Sequence, residues 1–385
     1  MSEKSTRKAL DYAVEFKAAR YRSVFGPELH YWSRKTLRRG TLSAYRRRKR
    51  RFGLKVNTLR SPLKVFLTID TEVYPMYPDW RDSGLQKDIQ RDIYGIAGLG
   101  EFGLRYQIKV LNRYGLRAVF FVESLFASSP FVGMKPLHEI VGEIQSSGHD
   151  VQLHLHPEWT AYIPALSHIP PVPMADLKRD QQRDLFRVGI ANLRDAGAII
   201  PCAFRAGDYA ANLDTLKAAS ESGITFDSSY NYCYRGSACK LAAGCGPLLQ
   251  PERLADVCEL PISFFEDRPS HHRHAQVCAV SFPEMRSALE KAYEKGWGTF
   301  VIVFHSFELI KNRRSGHDPA LRRIVRRRFE DLCRFLSENR TRFQTCVFQG
   351  LIPSDIEVGQ PADMLKGSIV RTLFRYAEQA AGRIW

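Results

Sequence analysis

Four short stretches of the chain hold the residue types that hydrolytic chemistry needs. In KVFLTIDTE (64–72) an apolar run ends in Asp70, Thr71 and Glu72. Side chains alternate along a strand, so Asp70 and Glu72 can face one centre, although a strand-end acid taken by itself more often caps a turn or the following helix. In HDVQLHLHPEWT (149–160), Val151, Leu153 and Leu155 point one way, while Gln152, His154 and His156 point the other. Residues i and i+2 of a strand stand about 6–7 Å apart, close enough for two imidazoles to converge on one cation with bonds of about 2.0–2.1 Å. Pro157 ends this strand and Glu158 follows it. A lone histidine is usually a hydrogen-bonded core residue, but two on one strand face with a carboxylate two residues on favour a metal site. CAFRAGDY (202–209) places Arg205, Asp208 and Tyr209 at a strand end. Arg205 there can hold a carboxylate ionised, and a structural ion pair beneath the loop explains it equally well. FVIVFHSFE (300–308) ends an apolar strand in His305, which is a satisfied barrel histidine by itself and a proton donor beside a metal.

Reactive residues gather where parallel strands end and loops begin, so the surrounding elements must supply that frame. Strands are expected at 64–70, 117–123, 150–156, 202–207, 224–230, 257–263, 277–281, 300–306 and 345–350, each rich in Val, Ile or Phe and bounded by turn formers. Helices are expected over 101–114, 136–147, 175–196, 213–222, 283–295 and 319–338. The first five run into Gly115, Gly148, Gly197, Gly223 and Gly296, the residue that ends helices in the left-handed region. The alternation argues for a parallel sheet with helices outside it, either an open doubly wound sheet or a closed barrel. No G-x-G-x-x-G follows the first strand, which counts against a dinucleotide fold. Segments 71–100 and 231–256 read as long loops, and loops of that length form functional walls or lids. The end of the chain, 365–385, reads as an amphipathic helix lying on the barrel or on a membrane, with packing on the barrel favoured.

The chain has 385 residues, 44% apolar and 25% charged, the composition of a globular protein that can bury a large core. Its formal charge of +16 gathers in two places. Arg and Lys crowd the first 60 residues, including the run Arg46–Arg51, and a second patch holds Arg313, Arg314, Arg322, Arg323 and Arg326–Arg328. Such fields attract anionic lipid, acidic glycans or nucleic acid, and a solubilising tail with a solvated helix face explains them equally well. No aromatic residues interleave the arginine run as base stacking requires, which argues against nucleic acid. There is no apolar signal segment and no stretch long enough to cross a bilayer, so the expected location is cytoplasmic, at most peripheral on an inner membrane face. The eight cysteines form no C-x-x-C pair and read as reduced thiols.

In order, the acidic strand end, the A-V-F-F-V strand, G-H-D-V-x-L-H, F-R-x-G and the late strand-end His resemble the polysaccharide deacetylase family, the NodB-homology or carbohydrate esterase family 4 proteins. The match covers roughly 64–350. It implies an α/β fold, a distorted (β/α) barrel over 61–352; the basic arm (1–60) and the tail (353–385), read as helical, lie outside the match. It further implies one divalent metal ion, usually zinc, and removal of an acetyl group from a polysaccharide or lipid-linked glycan precursor. Carried over, Asp70 is the base, Glu72 and His154 are metal ligands, Arg205 tethers the base and His305 is the general acid. The family's second metal histidine stands four residues after the first, where this chain has Glu158; either Glu158 or His156 then completes the site. The family's adjacent Asp-Asp is also replaced here by the spaced Asp-Thr-Glu. Asp208, Tyr209 and Trp159 are expected to touch substrate; Trp80, Trp159 and Tyr209 read as exposed aromatics for stacking on sugar rings or, equally well, as loop packing. Two alternatives share the fold: an amidase acting on a small non-sugar C–N bond, and a catalytically silent member that binds glycans or acidic surfaces. The basic arm is expected to meet an anionic membrane beside a lipid-linked glycan.

Overall fold

The structure is a computed structural model and describes residues 60–73, 84–98, 100–241, 246–311 and 319–384. The basic arm ahead of Arg60 lies outside the described residues, as do Trp80, Cys245, Arg313 and Arg314. In chain order the elements are β1 (Leu63–Thr71), α1 (Gly84–Asp92), the short ladder β2 (Ile96–Ala97) with β3 (Gly100–Glu101), α2 (Leu104–Arg113), β4 (Val119–Glu123) and α3 (Lys135–Ser146). There follow β5 (Asp150–Leu155), α4 (Arg179–Asp195), β6 (Ala203–Ala206), α5 (Leu213–Glu221), β7 (Phe226–Asp227), β8 (Glu252–Leu254) and β9 (Val257–Glu259). The chain continues through the hairpin β10 (Phe264–Arg268) and β11 (His271–His274), then α6 (Phe282–Glu294) and β12 (Thr299–His305). It ends with the ladder β13 (Ile310–Lys311) and β14 (Ala320–Leu321), α7 (Arg323–Glu338), β15 (Phe343–Thr345) and α8 (Ile369–Ile384).

The main sheet runs β12-β1-β4-β5-β6-β7-β9-β8, with β15 also on β1. Every pairing is parallel except β8 with β9. The sheet curls into a distorted α/β barrel. Its seam is closed by irregular chain: Ile262 N donates to Tyr230 O at 2.9 Å and Ser263 N to Val301 O at 3.2 Å. Pro261 has no N–H to give, which is one reason this stretch makes isolated bonds and no ladder. The expected strand 257–263 is therefore a strand only over its first three residues.

Alternation sorts each strand onto two cores. Val65, Leu67 and Ile69 pack outward beneath the helices with Phe120, Leu153, Phe204 and Ile302. Phe66, Phe121, Ala203, Phe226, Val301 and Val303 fill the barrel. Val347 and Phe348 join the inner core, where Asp150 Oδ2 accepts N–H bonds from Phe348 (2.8 Å) and Gln349 (3.1 Å).

The six expected helices all form, and the glycines after the first five have φ of 58–87°. Further expectations need correction: 224–230 is a strand only over Phe226–Asp227, and the expected loop 231–256 carries β8. Residues 277–281 make a turn beside a single bridge between Gln276 and Val303, because Gln276 already leads the chain into the capped start of α6. The strand expected at 345–350 pairs earlier, at 343–345, and Val347 and Phe348 turn in to plug the barrel. Segment 71–100 holds helix α1 and the β2–β3 ladder as well as loop. The seven cysteines among the described residues are unpaired. Among the described residues no helix is long and apolar enough to cross a membrane.

Candidate metal centre

Parallel register sets the site's residues in rows at the rim. Asp70 on β1 lies opposite His305 on β12, Glu123 on β4 opposite His154 on β5, and His154 opposite Arg205 on β6. The inward-facing positions of these strands thus deliver an acid, a base and ligand-type side chains to one mouth.

Glu72, His154 and His156 each offer one ligand atom, and these atoms lie within 4.8 Å of one another. His154 Nε2 is 3.1 Å from Glu72 Oε2, and His156 Nε2 contacts the same oxygen. The carbonyl of Arg205 lies 2.8 Å from His154 Nδ1. A carbonyl only accepts, so the proton sits on Nδ1 and the Nε2 lone pair is left for a ligand bond, as metal-binding imidazoles require. Burial raises the Glu72 pKa, but the His156 and His154 imidazoles outweigh it and hold the carboxyl well below the usual range. One carboxylate and two imidazoles suit a divalent ion such as zinc with a coordination position left open.

Two features seat His156, which lies one residue past β5. Its backbone N–H donates to Glu123 Oε2, while Leu125 N–H donates to Glu123 Oε1 at 2.7 Å, so one buried carboxylate clamps both loops. Burial pushes the Glu123 pKa up to about 8, against the charge of His156 and these two N–H groups. Beside the His156 ring stands Gly207, where a Cβ would lie 2.5 Å from Nδ1. Glu158 does not join the triad: its Oε2 is 3.5 Å from His156 Nδ1, on the far side of the ring from Glu72.

Next to the triad, Arg205 Nη1 bonds Asp70 Oδ1 at 2.6 Å and Thr68 Oγ1 at 2.9 Å. Its other nitrogens reach Ser228 O (3.0 Å) and Ser228 Oγ (3.1 Å), and its guanidinium lies 4.3 Å over the Phe121 ring. Asp70 Oδ2 faces His305 Nε2 at 3.7 Å, and the other ring nitrogen of His305 lies 2.7 Å from Glu308 Oε1. Burial would lower the His305 pKa, but Glu308, then Asp70 and Glu72, push it up to about 9. Gln276 and Gln107 complete its support, through Glu308 and through the His305 carbonyl (2.9 Å).

Residues 207–209 form a tight turn with Asp208 and Tyr209 at φ of 56° and 59°, unusual for side chains bearing a Cβ. Tyr209 is buried, and its hydroxyl has no hydrogen-bond partner among the described residues. Trp159 is also buried, against Phe126 and Tyr162, because the short helical turn after Pro157 folds it into the outer core. The expected exposure of Trp159 and Tyr209 is thus corrected. Sequence reasoning missed Glu123, Glu308 and Gln276. Glu123 carries a signal in hindsight, as an acid at the end of an otherwise apolar strand.

No family model and no curated protein matches the sequence. Among solved structures, a Mycobacterium smegmatis protein named as a candidate polysaccharide deacetylase has a TM-score of 0.51 at 16% identity, covering 82% of this chain and 97% of its own. A family 4 carbohydrate esterase from Streptomyces lividans, solved with acetate, has a TM-score of 0.40 at 12% identity, with 77% and 97% covered. A Bacillus anthracis pseudoenzyme of the same family has a TM-score of 0.33 at 10% identity, with 64% and 56% covered. The latter two superpose too loosely to add to the assignment. The chain has the curled α/β barrel fold of the NodB-type polysaccharide deacetylases.

Proposed function

We propose that this chain is a metal-dependent hydrolase that removes an acetyl group from a sugar of a polysaccharide or lipid-linked glycan precursor. The observation carrying this reading is the Glu72, His154 and His156 triad, with ligand atoms within 4.8 Å of one another beside Asp70 and His305. On this reading Glu72, His154 and His156 hold the ion, and Glu158 supports the His156 ring from behind. A divalent ion held there would supply Lewis acidity toward the acetyl carbonyl and the attacking water.

The remaining work falls to the chain's own side chains. Arg205 occupies Asp70 Oδ1, which leaves Oδ2 to take the proton of the attacking water. His305 stays an imidazolium at neutral pH with Glu308 on Nδ1, so its Nε2–H points toward the mouth and donates to the leaving nitrogen. An amide nitrogen leaves poorly until protonated, so an acid on this side is required. The unpartnered Tyr209 hydroxyl and the Asp208 turn are suited to contact the acetylated sugar. The basic segment ahead of Arg60 would bring the barrel to an acidic or lipid-linked substrate.

The test is acetate release from acetylated glycans by protein loaded with zinc, with and without chelator, alongside metal stoichiometry for the wild type and His154→Ala. One zinc per chain, lost in His154→Ala, together with chelator-sensitive acetate release supports the proposal. Zinc without acetate release on any glycan favours the small-amide reading. A wild type that holds no metal refutes the hydrolase.

A further inference from the structure

Helix α8 turns its polar face inward. Thr372 and Arg375 are buried at 4% and 1% exposure. Arg375 bonds Asp267 Oδ2 at 2.6 Å and Glu284 Oε2 at 3.0 Å, and Thr372 Oγ1 donates to the Asp267 carbonyl at 3.2 Å. From α7, Arg328 grips Glu378 at 2.7 Å. The opposite face is apolar and open: Ile369, Val370, Leu373 and Phe374 are 65%, 76%, 60% and 49% exposed, and the stripe continues through Ala377, Ala380 and Ala381. A helix on the surface of a globular protein normally shows the reverse arrangement, and contiguous apolar patches of this kind mark interaction sites. The inward ion pairs fix which way the helix faces, so the stripe cannot be buried by a simple rotation about the helix axis.

We propose that α8 docks the barrel on an anionic lipid surface, lying in the interface with Ile369, Val370, Leu373 and Phe374 inserted. Charge argues for this occupant over a second copy of the chain. Lys366, exposed just ahead of α8, accepts Lys291 Nζ on its carbonyl at 2.6 Å, which brings a second cation to the helix start. Along α7, packed beside α8, the Arg327 and Arg334 side chains are 84% and 52% exposed, and Arg286 on α6 is 54% exposed. Glu378 offsets Arg328 and Glu290 offsets Arg286, but Arg327 and Arg334 share the single acid Asp331, so with Lys366 and Lys291 this border keeps a net positive charge. A two-fold contact between copies would set these basic borders against each other, whereas anionic headgroups neutralise them. With 16 residues and no membrane-spanning character, the helix suits lying in the interface and not crossing it.

The experiment is co-sedimentation of the full chain with vesicles of phosphatidylcholine plus phosphatidylglycerol, and of phosphatidylcholine alone. It compares the wild type with Leu373→Glu/Phe374→Glu and with the milder Leu373→Ala/Phe374→Ala. Both side chains are largely exposed, so the fold should survive, and unchanged melting and sedimentation velocity profiles verify this. The wild type should bind the mixed vesicles at least about tenfold better than the double-Glu variant, with the double-Ala variant between them. Equal binding by wild type and variants would assign the membrane contact to the basic segment and overturn the proposal. So would absence of wild-type binding, or a wild-type dimer that the substitutions dissolve without any effect on vesicles.

Discussion

Replacing Gly207 with Ala is the smallest change that should disable the metal centre. The added Cβ would stand 2.5 Å from His156 Nδ1 and 2.6 Å from Cε1. Ordinary contact between such atoms needs about 3.5 Å, so the ring must move by about 1 Å. The ring has little freedom to yield, since its Nε2 is engaged by Glu72 and it packs edge-on against His154 with centroids 4.9 Å apart. Metal–ligand bonds tolerate only about 0.2 Å of error, so a shift of this size removes His156 as a ligand. Perturbing even an outer support costs about 10–100-fold in metal affinity, and losing a ligand should reach at least the upper figure, or about 2.7 kcal/mol. Competitive titration of zinc against a chromophoric chelator measures this, and the absorption of the cobalt(II)-substituted protein reports the ligand set. Overpacking should separately cost the metal-free protein about 1–3 kcal/mol in urea unfolding. Gly207→Ala and His156→Ala should weaken zinc binding similarly, and the double variant little further, because both act on one ligand. A Gly207→Ala protein with zinc affinity within about twofold of wild type would refute His156 as a ligand.

Glu123→Gln offers one oxygen to two N–H donors, so zinc affinity should fall by about 10–100-fold while the fold persists; an unchanged cobalt(II) spectrum and affinity would show that the clamp on His156 is dispensable. Arg205→Met strands a buried Asp70 and should cost about 3–5 kcal/mol in urea unfolding, much of it recovered in Arg205→Met/Asp70→Asn. A single variant within about 1 kcal/mol of wild type would sink that account. His149 is buried with its pKa pushed down to about 4, by burial first and Arg117 second. The unfolded chain therefore binds this proton first, and stability should fall as pH drops from about 6.5 towards 4. His149→Gln should flatten that part of the stability profile, and parallel curves for the two proteins would count against the assignment.

Much of the barrel was legible because its signals are local. The glycines that end five helices, the apolar strand cores and the inward sequence Gln152, His154, His156 depend only on chain geometry over a few residues. The misreadings share one cause. Residues 277–281 and 345–350 have strand-like composition, but whether an apolar run becomes a strand depends on a free neighbour to pair with. At 343–345 the pairing falls beside β1, and the residues after it are drawn into the barrel floor. Trp159 followed the same logic, an aromatic after a strand end that the turn at Pro157 delivers to the outer core.

The sequence alone determined that acids and histidines stand at the ends of apolar strands, since alternation and strand length are properties of the chain. Which of those groups meet was decided only by register between strands far apart in sequence. Asp70 lies beside His305 because β1 and β12 pair in step, and Glu123 reaches the His156 backbone because β4 and β5 do. The placement of the His156 ring against Glu72, and the outward turn of α8's apolar face, rest on contacts with Glu123, Asp267 and Glu284 that no local pattern encodes.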